Sequence, residues 1–102
     1  MTDHNTAVDG LELLRSELDD IDATLLDTLR RRLECCIRIA RHKAEHDIAM
    51  MQPARVGLVK DRAAHYGSEH GIDPAFLVAL YGVIIDETCR VEDLEIADAT
   101  AH

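Results

Sequence analysis

At 102 residues the chain supports one domain at most, too small to bury a large core alone, so oligomerisation is a natural remedy. Twenty acids against eleven Lys and Arg give a formal charge of −9, which argues against binding to the phosphate backbone of nucleic acid or to an anionic membrane surface. No apolar run approaches the roughly 20 residues of a membrane span, and the opening MTDHNTAVDG lacks the basic-then-apolar plan of a signal peptide, so the chain reads as cytoplasmic.

Residues 1–8 read as a frayed, disordered start. Asp9 followed by Glu12 resembles a capping box, and a 3.6-residue apolar period then runs from Leu11 to about His46. Pro53 breaks that pattern and opens a second helix, whose expected inner stripe is Arg55, Val59, Arg62 and Tyr66. Gly71 suits its C′ position. Asp73 then caps a third helix with Pro74 at N1 and the stripe Leu77, Leu80, Tyr81, Ile84, Thr88, Val91 and Glu92. No segment carries a strand period. The expected fold is all-α, with a helical domain over residues 9–96 and a second disordered end over 97–102.

A first helix of about 36 residues would be about 54 Å long. A compact domain of this size has a radius of gyration of only about 13 Å. Such a rod cannot cover its apolar stripe with the residues that remain, so the length predicts a homodimer.

The stripe of that first helix holds Leu11, Leu14, Leu18, Ile21, Leu25, Leu29, Cys36, Ile39 and Ala40, and Arg32 and Lys43 point along its centre. Asp20, Glu34, Arg31, Arg38, Arg41 and Glu45 occupy the opposite, solvated face. A buried unpaired charge costs several kcal/mol, so inward cations need partners, and a small anionic ligand such as a dicarboxylate is one. Arg15 leans to the same face about 25 Å from Arg32 along the axis, beyond the reach of one ligand. Antiparallel pairing of two copies would bring the partner's Arg15 toward Arg32. Arg55, and the i, i+4 pair Thr88 and Glu92, can join from the other helices. The plainer reading is that such cations snorkel or pair with acids. The inward acids are only Asp22, suited to pair with Arg15 or a helix end, and Glu92.

Other chemistries find less support. Cys35 and Cys36 are adjacent, Cys89 is distant and no C-x-x-C spacing exists, so the cysteines read as packing residues. His42 and His46 have i, i+4 metal spacing, but they lie on the solvated face outside any H-E-x-x-H motif; no metal is expected. No nucleophile triad or glycine-rich phosphate loop is present.

The run LRSELDDIDATLLDTLRRRLECCIRIARHK, a following P-A-R, and I-I-D-E-T-C-R-V-E resemble the all-helical chorismate mutases over residues 11–95. That resemblance implies an intertwined dimer of three-helix chains with two composite sites. It places substrate contacts at Arg32, Lys43, the partner's Arg15, Arg55 and Thr88, with Lys43 at the breaking ether oxygen. It implies a Claisen rearrangement without a cofactor. Where ordinary bacterial members carry an acid pair beside the C4 substituent, this chain has Gln52 and Val56; where they often have Gln near the ether oxygen, it has Glu92.

The segments MMQPARVGLVKDRA and CRVEDL most resemble the 4-amino-4-deoxychorismate mutases of actinomycete antibiotic pathways. The alternatives are chorismate mutase, isochorismate pyruvate lyase, which also lacks the acid at the Val56 position, and a non-catalytic helical dimerisation module.

Overall fold

The computed structural model describes residues 4–49 and 52–100. They form α1 (His4–Glu45), α2 (Pro53–His70) and α3 (Pro74–Thr100), with no strand among the described residues. The all-α expectation holds. None of the helices is long and apolar enough to cross a membrane, among the described residues.

Both ends of the fold carry more helix than the sequence pattern suggested. α1 begins at His4, so Asp9 lies within the helix and the Asp9–Glu12 pair does not start it. No proline interrupts this stretch, and the single Gly10 costs only about 1 kcal/mol relative to alanine. Once a long helix is nucleated, such a penalty does not stop its propagation. α3 likewise continues through Ala97 to Thr100. Residues 1–3 and 101–102 of the expected frayed ends, and Met50 and Met51 of the MMQPAR segment, lie outside the described residues.

The connections follow their local chemistry. Asp47 takes a left-handed φ of 56°, and the Ile48 N–H donates to the Lys43 carbonyl at 2.9 Å, closing α1 in a Schellman-like turn. Pro53 stands in the first turn of α2, where its missing N–H costs nothing. Gly71 adopts φ 70° and ψ 26°, and the Ile72 N–H donates to the Gly67 carbonyl at 3.0 Å. Asp73 Oδ1 then accepts from the Ala75 N–H at 3.0 Å, the cap expected from Asp-Pro.

The chain divides between Glu34 and Cys35 into two units, the first being the N-terminal stretch of α1. In that unit Leu14, Leu18, Ile21 and Leu25 are each between 54 and 63% exposed. These residues form one contiguous stripe at helical spacing.

In the second unit the backbones of α2 and α3 come close together. The face of α2 that is covered carries Val56, Val59, Lys60, Ala63 and Gly67, whereas Arg55, Arg62 and Tyr66 are exposed. The expected stripe of α2 is therefore rolled away from the observed one. Small residues decide the roll: Ala63 and Gly67 are the buried positions of α2, and they let α3 approach. On α3 the expected inner residues Leu77, Tyr81, Ile84, Thr88, Val91 and Glu92 are covered or half-covered, while Leu80 sits at the edge, 39% exposed.

Gly67 makes that approach testable. A Cβ there would lie 2.6 Å from the Ile72 carbonyl oxygen and 3.2 Å from Pro74 Cα, both backbone atoms that cannot swing aside. Gly67→Ala is expected to destabilise the protein by about 1–3 kcal/mol, the usual range for overpacking. Urea unfolding followed by circular dichroism measures it.

Candidate functional site

α1 presents Arg15 and Arg32 seventeen residues apart on one continuous helix. At 1.5 Å per residue their backbones are about 25 Å apart. One chain does not bring them together. Arg15 is exposed and donates from Nη1 to Glu12 Oε1 at 3.1 Å, so its partner is Glu12 and not Asp22. The i, i+3 spacing puts Glu12 on the neighbouring turn, whereas Asp22 is two turns away. Arg32, by contrast, is half-buried and engaged in a polar or electrostatic contact.

In the second unit Lys43 is half-buried in the last turn of α1 and also engaged. Thr88 is buried, and its Oγ1 donates to the Ile84 carbonyl at 2.9 Å. Glu92 is half-buried one turn later on the same face of α3. Gln52, Arg55 and Val56 share the start of α2: Gln52 and Arg55 are exposed, and Val56 is half-covered. Gln52 occupies the N-cap position, yet its side chain makes no capping hydrogen bond. Its backbone carbonyl accepts from the Arg55 N–H at 2.9 Å, which leaves the amide group for other use.

Sequence reasoning missed one link. Arg41, assigned to the solvated face, donates from Nε to Glu95 Oε1 of α3 at 2.6 Å. Glu95 is the less exposed partner, 22% against 59% for Arg41. The carboxylate holds the guanidinium charged, chiefly through that hydrogen bond and also by direct attraction. No local signal could have found it, since the partners are 54 residues apart and a wheel shows azimuth without side-chain reach.

Cys35 is exposed and Cys36 and Cys89 are half-buried, and Cys89 offers no nucleophile. Burial pushes the Cys89 thiol up, and Glu92, Asp93, Asp86 and Cys36 push it further. A thiol so placed stays protonated at neutral pH. No group of three or more His, Cys, Asp or Glu among the described residues has the geometry of a metal site. His42 and His46 lie with ring centroids 4.3 Å apart but without further ligands of that kind.

Comparison with known proteins gives this constellation its context. The chain is 60% identical over 94 residues to the 4-amino-4-deoxychorismate mutase of Streptomyces venezuelae, covering 92% of this chain and 87% of that protein. It is 53% identical over 95 residues to the 4-amino-4-deoxychorismate mutase of Streptomyces pristinaespiralis, covering 93% of this chain and 74% of that one. It is 32% identical over 76 residues to the isochorismate pyruvate lyase of Pseudomonas aeruginosa, covering 74% of each. No solved structure matches it significantly. Residues 14–93 match the family described as chorismate mutase type II, and the chain, with its three described helices, belongs to that family.

Proposed function

We propose that the protein converts 4-amino-4-deoxychorismate to 4-amino-4-deoxyprephenate, in the cytoplasm and in the service of p-aminophenylalanine-derived antibiotic synthesis. The likeness to the two Streptomyces mutases over more than nine-tenths of the chain carries this reading. The reaction breaks one ether C–O bond and forms one C–C bond within a single molecule. No group enters or leaves, so neither a nucleophile nor a cofactor has a step to perform.

Catalysis then has two parts. Arg32, Lys43 and the Arg15 of a second copy grip the two carboxylates and select the compact chair in which the reacting carbons meet. Thr88 assists a carboxylate by turning its hydroxyl proton from the Ile84 carbonyl to the substrate, and Arg55 assists the ring end. Lys43 and Glu92 face the ether oxygen and stabilise the negative charge that develops there. The exposed leucine stripe of α1 supports the dimer this requires, because four large apolar side chains more than half exposed in a row mark a surface for a partner. A second copy supplies both the cover and the missing arginine.

Gln52 and Val56 stand at the C4 end of the substrate. Gln52 offers a carbonyl acceptor to a C4 ammonium, and Val56 stands where ordinary members carry an acid; an ammonium would use that acid at least as well as a hydroxyl, so the likeness to the two Streptomyces mutases carries the choice of the amino compound. Comparative turnover of 4-amino-4-deoxychorismate, chorismate and isochorismate tests the assignment: preference for the amino compound is expected. Preference for chorismate would move the protein to ordinary prephenate formation, and pyruvate release from isochorismate would make it a lyase like the Pseudomonas relative. Val56→Glu is expected to raise chorismate turnover over the wild type with little change in carboxylate binding, as read from kcat and KM on each substrate.

A further inference from the structure

We propose that the Arg41–Glu95 ion pair is a positioning device for the Lys43 ammonium, locking the roll and register of the last turns of α1 against α3. The proposal rests on the mutase reading for what Lys43 does, and on the geometry of the second unit for how it is held.

The close backbone approach in that unit is between α2 and α3. The last turns of α1 reach α3 through the Arg41 side chain. Ala40 is completely buried and marks the centre of the covered face of this part of α1. At about 100° per residue, Lys43 lies about 60° to one side of Ala40 and Arg41 about 100° to the other. The two cations therefore flank the packing face, one on each edge.

Small apolar contacts such as those of Ala40 are non-directional and tolerate a modest slide or roll. A hydrogen-bonded ion pair does not tolerate either. The 2.6 Å contact from Arg41 Nε to Glu95 Oε1 fastens one edge of α1 to a half-covered carboxylate on α3. Glu95 stands one turn after Glu92 and two turns after Thr88 on the same side of α3. Fastening Arg41 thus references α1 to the helix that carries Thr88 and Glu92 of the candidate site.

The lever is short but sufficient. An ammonium carried about 8 Å from a helix axis swings about 1.4 Å when the helix rolls by about 10°, and a one-residue slip moves it about 1.5 Å. A misplacement of about 1 Å at a reacting centre can cost about 100-fold in rate. Lys43 also closes the helix, since its carbonyl accepts the Ile48 N–H, so a displaced last turn would carry both the ammonium and the turn leading to Gln52.

The test uses the full chain with Arg41→Glu, Glu95→Arg, the double charge swap, and Arg41→Lys. Each reversal is expected to lower kcat on 4-amino-4-deoxychorismate by about 10-fold or more with KM changed less than about 3-fold, and the swap to recover kcat to within about 3-fold of wild type. Amide hydrogen exchange over residues 41–48 should show lost protection in the single variants and its return in the swap. Single variants that keep wild-type kcat, or a swap that restores protection without restoring kcat, overturn the positioning role. Should the wild type turn over none of the three candidate substrates, the mutase reading fails by itself. The clamp is then judged by exchange: unchanged protection in the reversals refutes it, and loss restored by the swap supports it. Arg41→Lys, which keeps the charge but not the directed Nε–H, is expected to fall between wild type and reversal, so the answer does not depend on a reversal that fails to fold.

Discussion

Arg15→Ala and Arg32→Ala homodimers are each expected to be nearly inactive, yet a mixture unfolded in urea and refolded together should regain about a quarter of wild-type activity. The number follows from symmetry. Random pairing makes about half the dimers mixed, and a mixed dimer has one site with both arginines and one with neither. The separation of about 25 Å between the two residues on α1 makes the shared site necessary if both touch one small substrate. Arg15 is bound to the exposed Glu12 at 3.1 Å, an interaction of the surface i, i+3 kind that yields readily to a better anion. Activity of the refolded mixture, with dimer formation checked by sedimentation, decides it. Two inactive parents and an inactive mixture would overturn the shared site.

The helices themselves were legible because their boundaries are written in local chemistry. Asp73 with Pro74, and Gly71 in the left-handed region, act over a few residues, and the structure places them where the sequence does. Asp9 misled because a capping pattern states only that a helix can start there; with no breaker upstream, α1 simply runs through it. The roll of α2 was not legible for a different reason. Its covered stripe is the more apolar one, Val56, Val59, Ala63 and Gly67 with Lys60, but its small residues become a packing face only because α3 comes close, which favours Ala63 and Gly67 over the larger Tyr66.

The candidate site divides in the same way. Arg32, Lys43, Thr88 and Glu92 could be picked out because polar groups on covered stripes are costly and therefore conspicuous. Gln52 and Val56 became informative only through the family resemblance, as positions where an expected acid is missing. Arg41 belonged to neither kind. It is an ordinary exposed arginine until the third helix supplies Glu95, and long-range pairing of that sort leaves no trace in a periodicity.

The second large effect concerns the ether oxygen. Lys43→Ala is expected to lower kcat/KM by about 100- to 1,000-fold, the scale for removing one donor to a developing oxyanion. We propose that Glu92 sets the pH dependence. An ionised carboxylate beside that oxygen would repel the charge that forms on it, so Glu92 helps only while it is protonated and donating. Rising pH removes that proton, and kcat/KM on 4-amino-4-deoxychorismate should therefore fall through the ionisation of Glu92 in the free enzyme. Glu92→Gln keeps a donor at every pH and is expected to flatten the profile. The proposal for Glu92 rests on the family resemblance and on its half-buried place one turn after Thr88 on the covered face of α3. Measuring both proteins from about pH 5 to 9 separates the cases, since the two differ only in the carboxyl at position 92. A flat wild-type profile, or a Gln variant that keeps the same titration, would remove Glu92 from the ether oxygen and leave Lys43 to stabilise it alone.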